Sequence, residues 1–281
     1  MKTKYLFILV ILTIVINLSA VFDDYEPSPR ARAMGGAYYS LSNDSYAIFY
    51  NPAGLQLADN SLGIAYTKLF GLDYATVSVV GLSADLPNNL GSLGIGLQSF
   101  DATYKDITLT SEKKYSLSHA ITLLKDIHAE IYFGYTANMY HLNIDTFGDE
   151  TDFGIDVGGL AILHQRTRLG FAVTNLNNPK LGKNNSHNLP QKFAMGISYL
   201  PYSDVYTSLE LKKTFGGVTE IHAGTEAEVF EILKLRVGIR NQPVSYSMGF
   251  GINYLNINVD YGFNTHAVLG GTHHFGIGYS Y

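Results

Sequence analysis

From residue 60 to the C-terminus, apolar and polar positions alternate. Val244-Ser-Tyr-Ser-Met-Gly-Phe-Gly-Ile-Asn-Tyr254 places a large apolar residue at every even position, with Ser245, Ser247, Gly249, Gly251 and Asn253 between them. Leu255 to Phe263 repeats this, with Asn256, Asn258, Asp260 and Gly262 on the second face, and the chain closes on Phe275-Gly-Ile-Gly-Tyr-Ser-Tyr281. A period of two describes strands with one apolar and one polar face. The same reading predicts fourteen strands, near 61–69, 73–85, 91–103, 113–124, 127–142, 152–163, 167–176, 191–200, 203–213, 219–229, 232–240, 244–253, 255–263 and 272–281. Pro87, Pro179, Pro190, Pro201 and Pro243 fall in or beside the turns, and none interrupts a strand interior, where it would delete a ladder hydrogen bond.

Alternation alone does not say which face meets the core. Four features favour a membrane barrel over a soluble β fold. The small-residue face is rich in Gly, as a crowded lumen requires. The other face is rich in Tyr and Phe, as interfacial girdles require. The strand number is even. Connections 104–112, 143–151, 177–190, 214–218 and 264–271 are long and share one end with the short 70–72 and 241–243, whereas 86–90, 125–126, 164–166, 201–202, 230–231 and 253–254 are tight. The expectation is an all-β, transmembrane antiparallel barrel of about fourteen strands over 61–281. Its last strand ends in Phe275, Tyr279 and Tyr281, an aromatic ending of the kind that the barrel-assembly machinery recognises. Its partners then include outer-membrane lipid.

The N-terminus reads as an address. Lys2 and Lys4 precede the apolar run Tyr5 to Leu18, and Leu18-Ser19-Ala20 offers a cleavage site. The run is shorter than the roughly 20 residues of a spanning helix, so 1–20 reads as a cleaved signal peptide and the location as a bacterial outer membrane.

Composition narrows the chemistry. The 281 residues contain no Cys and no Trp, and 19 basic residues face 24 acidic ones. Disulfides and Cys-ligated metals are excluded, and the lack of a basic surplus argues against nucleic acid as a partner. The chain has no HExxH, GxSxG or phosphate-loop motif, so no enzyme, cofactor or metal is expected. His273 and His274 are neighbours on one strand and point to opposite faces. Gly148-Asp-Glu-Thr-Asp152 lacks the full spacing of a calcium loop. Ser118-His119 is no catalytic pair by itself. One charged pattern stands out: a tight turn near 230–231 sets Glu228 opposite Lys234 and Glu226 opposite Arg236, with Arg240 further along the same inward face. This is read as a structural ladder in the lumen, or alternatively as a charged constriction.

Residues 21–60 break the alternation. Arg30 to Ser42 is compatible with a helix weakened at Gly35-Gly36, Asn43-Asp44-Ser45 can cap a second one, and Asn51-Pro52-Ala53-Gly54 reads as a turn. About 40 residues suffice for a plug in the barrel mouth. The strings Arg32-Ala-Met34-Gly35-Gly36-Ala37, Asp44-Ser-Tyr-Ala47 and Tyr50-Asn51-Pro52-Ala53-Gly54-Leu55 resemble the N-terminal signature of the PorV/PorQ family, which belongs with the FadL-like fourteen-stranded barrels. The resemblance implies a barrel plugged by its N-terminal segment. It implies either a role in secretion or surface attachment of exported proteins (type IX-like), or transport of fatty acids and other hydrophobic compounds. Because loop 177–190 reads as polar, with little apolar surface to gather a lipid, the sequence favours secreted proteins over a hydrophobic small molecule as the partner. A purely structural envelope barrel is the third reading.

Overall fold

The computed structural model describes residues 22, 25–105, 107–145, 148–182 and 187–281. The expected signal peptide lies outside these residues. Among them, fourteen antiparallel strands close a single barrel. They are β1 (Ser61–Lys68), β2 (Ala75–Asp85), β3 (Ser92–Tyr104), β4 (Ile107–Lys125), β5 (Ala129–Ile144), β6 (Gly148–Leu163), β7 (Thr167–Thr174), β8 (Lys192–Tyr202), β9 (Val205–Thr214), β10 (Thr219–Phe230), β11 (Leu233–Asn241), β12 (Val244–Tyr254), β13 (Ile257–Asn264) and β14 (Thr272–Ser280). Each pairs with its neighbours in sequence, and β1 closes on β14 with Ser61 opposite Ser280 and Lys68 opposite His273. Every one of the predicted strands is present.

The barrel is apolar outside. Ile64, Ile95, Leu117, Phe171, Met248 and Phe275 are all exposed, while Ser83, Ser118, Thr136, Asn138 and Ser208 on the opposite faces are buried. In water this arrangement would be inverted; in a bilayer the outward face is solvated by lipid. No helix among the described residues is long and apolar enough to cross a membrane.

Three sequence expectations are corrected. Connections 104–112 and 143–151 are largely strand: Ala102 pairs with Thr110 and Thr110 with Ile144. Thr108, Thr110 and Ile144 are β-branched and suit a pleated ladder, although the polar run around them reads as loop. With 19 residues, β4 is far longer than the roughly 9–11 that cross a bilayer, so β3–β6 rise as a tall wall at the loop end. The last tight turn falls at Leu255 and Asn256 rather than 253–254, with Leu255 in the left-handed region at φ 56. The helix expected over Arg30 to Ser42 is only α1 (Pro29–Ala33).

The lumen is filled by residues 25–58. Tyr38, Met34, Leu41, Ile48 and Leu55, among the largest fully buried side chains, all belong to this segment. α1 starts at Ser28, whose hydroxyl accepts from the Ala31 N–H at 3.3 Å, with Pro29 at the first helical position. It stops at Gly35 and Gly36, both at positive φ (67 and 86). The Asp44 carboxylate accepts from the Tyr46 N–H at 2.9 Å just before α2 (Ala47–Tyr50). A 3₁₀ turn, Pro52–Leu57, follows Asn51 and leads to β1.

Candidate functional site

The plug meets two unlike walls. Toward β9–β13 the contacts are ionic. Arg30 forms a bidentate pair with Glu226, Nε to Oε2 and Nη2 to Oε1 both at 2.8 Å. Glu226 also takes Arg236 Nε at 2.6 Å, and Arg236 Nη1 reaches Asp260 at 2.5 Å. Arg30 donates further to Asn43 Oδ1 at 2.7 Å, and Tyr38 donates its hydroxyl to Asp44 at 2.5 Å. Burial pushes the Asp44 carboxyl up from its ordinary value, while Arg30 pulls it down. Glu210 accepts the Ser40 N–H at 2.9 Å, and His222 Nδ1 lies 2.6 Å from the Gly35 carbonyl. Such pairs are strong because they are short, charge-assisted and shielded from water.

The predicted register of the charge ladder is observed: Glu228 lies opposite Lys234 and Glu226 opposite Arg236. The two rungs differ. Glu226 and Arg236 are buried against the plug, whereas Glu228 and Lys234 are 3.5 Å apart and partly exposed at the turn end. Arg240 faces Glu220 at 4.0 Å. The sequence reading paired wall with wall; it missed Arg30, Glu210 and Asp260 as partners. Their signal was the placement of charge on inward strand faces, and an Arg beside the helix start.

Toward β3–β7 the hydrogen bonds around Asn51 are neutral. Asn51 is fully buried and donates to the Tyr39 carbonyl (2.9 Å) and the Gly159 carbonyl (3.0 Å), while its Oδ1 accepts the Ala53 N–H at 3.2 Å. Pro52 and Ala53 lie directly on Gly134, where a Cβ would meet the Ala53 nitrogen at 2.5 Å. Gly54 packs within the plug on Ser42, and Met34 sits against Gly224 and Gly238. Arg32 Nε lies 3.5 Å from Glu26. Thus the motif residues Arg32, Met34, Gly35, Gly36, Asp44, Asn51, Pro52, Ala53 and Gly54 are all inside the lumen, at plug–wall or plug–plug contacts.

At the loop end, between the plug and the tall wall, lies a cavity of about 70 Å³. Six aromatic rings line it: Phe22, Tyr25, Tyr39, Phe49, Phe100 and Tyr140. Tyr25 stacks on Phe100 at 4.6 Å, and Phe22 packs edge-on to Tyr140 at 4.9 Å. The Lys114 ammonium sits 5.9 Å from the Phe49 ring and 5.6 Å from the Tyr140 ring, with Asp156 at 3.6 Å. Gln98, Glu112, Lys114, Thr174, Asn175 and Lys192 complete the lining with Pro27 and Pro190, so the cavity sets aromatic faces beside polar and charged groups, and concave sites of this mixed kind hold small molecules by their apolar walls and orient them by their polar groups.

The described parts of the connection from β7 to β8, 175–182 and 187–191, cover this region. Leu181 and Leu189 turn inward and are buried with Tyr140 and Leu142, which corrects its reading as a polar loop with little apolar surface to gather a lipid. Asp152 and Glu150 accept the Lys180 and Gly182 N–H groups, so the acids of the weak calcium-like run instead pin this loop. His274 points inward to Thr67 (2.8 Å) and Asn264 (2.7 Å), and His273 outward to Tyr261 (2.8 Å). Phe275, Tyr279 and Tyr281 are exposed, the first two on the outer face, and the Tyr281 N–H binds the Asn60 carbonyl at 2.9 Å.

No protein-family model matches this chain, and no curated protein matches it in sequence. Solved structures do match in fold. A Pseudomonas aeruginosa FadL homologue superposes with a TM-score of 0.62 at 11% identity, covering 90% of this chain and 98% of that one. The CymD monoaromatic hydrocarbon channel gives 0.63 at 12%, covering 90% and 97%. The Pseudomonas putida toluene transporter TodX gives 0.60 at 12%, covering 89% and 96%. At these identities the likeness is one of fold: this chain has the fourteen-stranded, FadL-like barrel architecture.

Proposed function

We propose that this protein is an outer-membrane channel for small hydrophobic compounds, and not a component of protein secretion. The observation that carries the reading is the aromatic cavity under the β7–β8 loop. Its place in a plugged barrel, and the hydrocarbon channels and FadL homologue that share the fold, support transport over the secretion role that the PorV/PorQ resemblance suggested. A site of this kind binds by burying apolar surface, at about 25 cal/mol per Å². A ring-sized guest occupies roughly 150 Å³ in a known engineered cavity, so it must displace Phe22 or lift Leu181 and Leu189. The plug then acts as the barrier that the guest has to move.

The chain contains no Trp, so Phe100→Trp places a single reporter in the cavity wall. Titrating the purified variant with toluene and with a long-chain fatty acid should shift its emission in a saturable way with at least one of them. A linear, unsaturable response to both, equal to that of a Trp placed at Phe215 on the exposed loop tip, would refute the reading.

A further inference from the structure

The charged groups on the β9–β13 wall form two tiers with the plug between them. On β10 the inward order from the loop end is Glu220, His222, Gly224, Glu226; on β11 it is Arg240, Gly238, Arg236. Gly224 and Gly238 are the points where Met34 presses on the wall. Above them, Glu220 lies 3.2 Å from His222 and 4.0 Å from Arg240. Below them, Arg30 and Arg236 line a polar cavity of about 440 Å³ that opens at the turn end. Therefore α1 and the Gly35-Gly36 corner separate an ionic cluster from a polar vestibule.

The upper tier also has unmet hydrogen-bonding capacity. Glu220 Oε2, His222 Nε2 and Arg240 Nε are buried without a well-formed hydrogen bond within the chain, although Oε2 and Nε2 lie 3.2 Å apart and Lys212 Nζ lies 3.8 Å from Oε2. A void of about 10 Å³ beside Arg240, Ser245 and Ser247 has the room of one water. Buried polar groups of this kind are held by ordered water. The aromatic side holds charge as well, with Lys114 and Asp156 3.6 Å apart, but there Ile48 and Leu55 pack on the wall at Gly94.

We propose that the β9–β13 face is a second, polar route for small ions, closed by α1, and that the Arg30–Glu226 pair is its latch. Alternating acidic and basic groups can replace part of an ion's hydration shell, as charged rings do in pores. A hydrophobic compound gains nothing from such a wall, so this route is separate from the aromatic cavity and does not depend on what that cavity binds. Breaking the latch at Arg30 leaves Glu226 and Arg236 in place as wall charges while freeing α1.

The test is single-channel recording of the full chain in planar bilayers. Wild-type protein should be silent. Arg30→Gln and Glu226→Gln should each give discrete steps, with an opening equilibrium raised by about 150-fold or more, the scale set by stripping one partner from a buried ion pair. Thr136→Val, which alters the plug contact with Ile48 on the β3–β7 side, should stay silent. Adding Arg240→Gln to Arg30→Gln should move the reversal potential in a KCl gradient toward cation selectivity. Folding of each variant is checked by heat-modifiable gel mobility. An open wild type, a folded Arg30→Gln that stays silent, equal opening by Thr136→Val, or an unmoved reversal potential would each overturn the proposal.

Discussion

Replacing Asn51 by Ala should unseat the plug without unfolding the barrel. The side chain is fully buried and makes three hydrogen bonds: to the Tyr39 and Gly159 carbonyls at 2.9 and 3.0 Å, and from the Ala53 N–H at 3.2 Å. One joins two parts of the plug, one ties the plug to β6, and one starts the 3₁₀ turn. The substitution leaves two carbonyls and one N–H without this partner, and each such loss costs about 1 kcal/mol or more. The total, about 3 kcal/mol, is close to a 150-fold change in the plug's opening equilibrium, at 1.4 kcal/mol per factor of ten. Arg30 and Arg32 lie in the plug and are shielded from protease while it is seated. Cleavage of a transiently open segment follows the open population when reclosing is fast. Limited trypsin digestion of the detergent-solubilised protein should therefore cut Asn51→Ala after Arg30 or Arg32 about a hundredfold faster than wild type. The heat-modifiable mobility of the barrel should be unchanged. An unchanged cleavage rate would refute the reasoning, since it would mean that Asn51 does not hold the plug.

Three further outcomes follow from the same contacts. Gly238→Ala places a Cβ on the Met34–Gly35 backbone, which cannot rotate away; a cost of about 1–3 kcal/mol should appear as faster cutting at Arg32. Glu226→Gln should lower the urea midpoint of plug release by the equivalent of about 3–5 kcal/mol, whereas Glu228→Gln, half-exposed at the turn end, should change it by less than about 0.5 kcal/mol. Leu181→Ala removes a buried side chain that packs with Tyr140 and Leu142; a local loss of about 2–3 kcal/mol should make trypsin cut at Lys180 sooner, with cleavage at Arg30 unaffected.

The barrel was legible because its signal is periodic and repeated. Ser245, Ser247, Gly249 and Gly251 face inward as their spacing requires, and Glu226 meets Arg236 because a turn of known length fixes the register. Opposite faces for His273 and His274 follow from the same period of two. The plug's details were less legible because they depend on contacts distant in sequence. Arg30 and Glu226 are 196 positions apart, and no local pattern announces that they pair. Helix propensity over Arg30 to Ser42 yielded to the positive φ at Gly35 and Gly36, where the chain must turn against β11. The aromatic cavity draws Phe22 and Tyr25 from the N-terminal segment, Phe100 from β3 and Tyr140 from β5, and only closure of the barrel brings them together. Leu181 and Leu189 stand amid polar residues, and their burial comes from the tall wall, not from the loop's own composition.

The central claim is that the channel carries small hydrophobic compounds past its plug. It is tested most directly by the uptake of labelled toluene and of a labelled fatty acid into cells whose outer membrane contains lipopolysaccharide and no other hydrocarbon channel. The account predicts that expressing this chain speeds uptake of at least one of them in a saturable manner. It also predicts that filling the cavity by Phe49→Trp with Thr174→Phe slows that uptake, although the barrel still assembles. Uptake of both compounds equal to that of cells lacking the chain would contradict it.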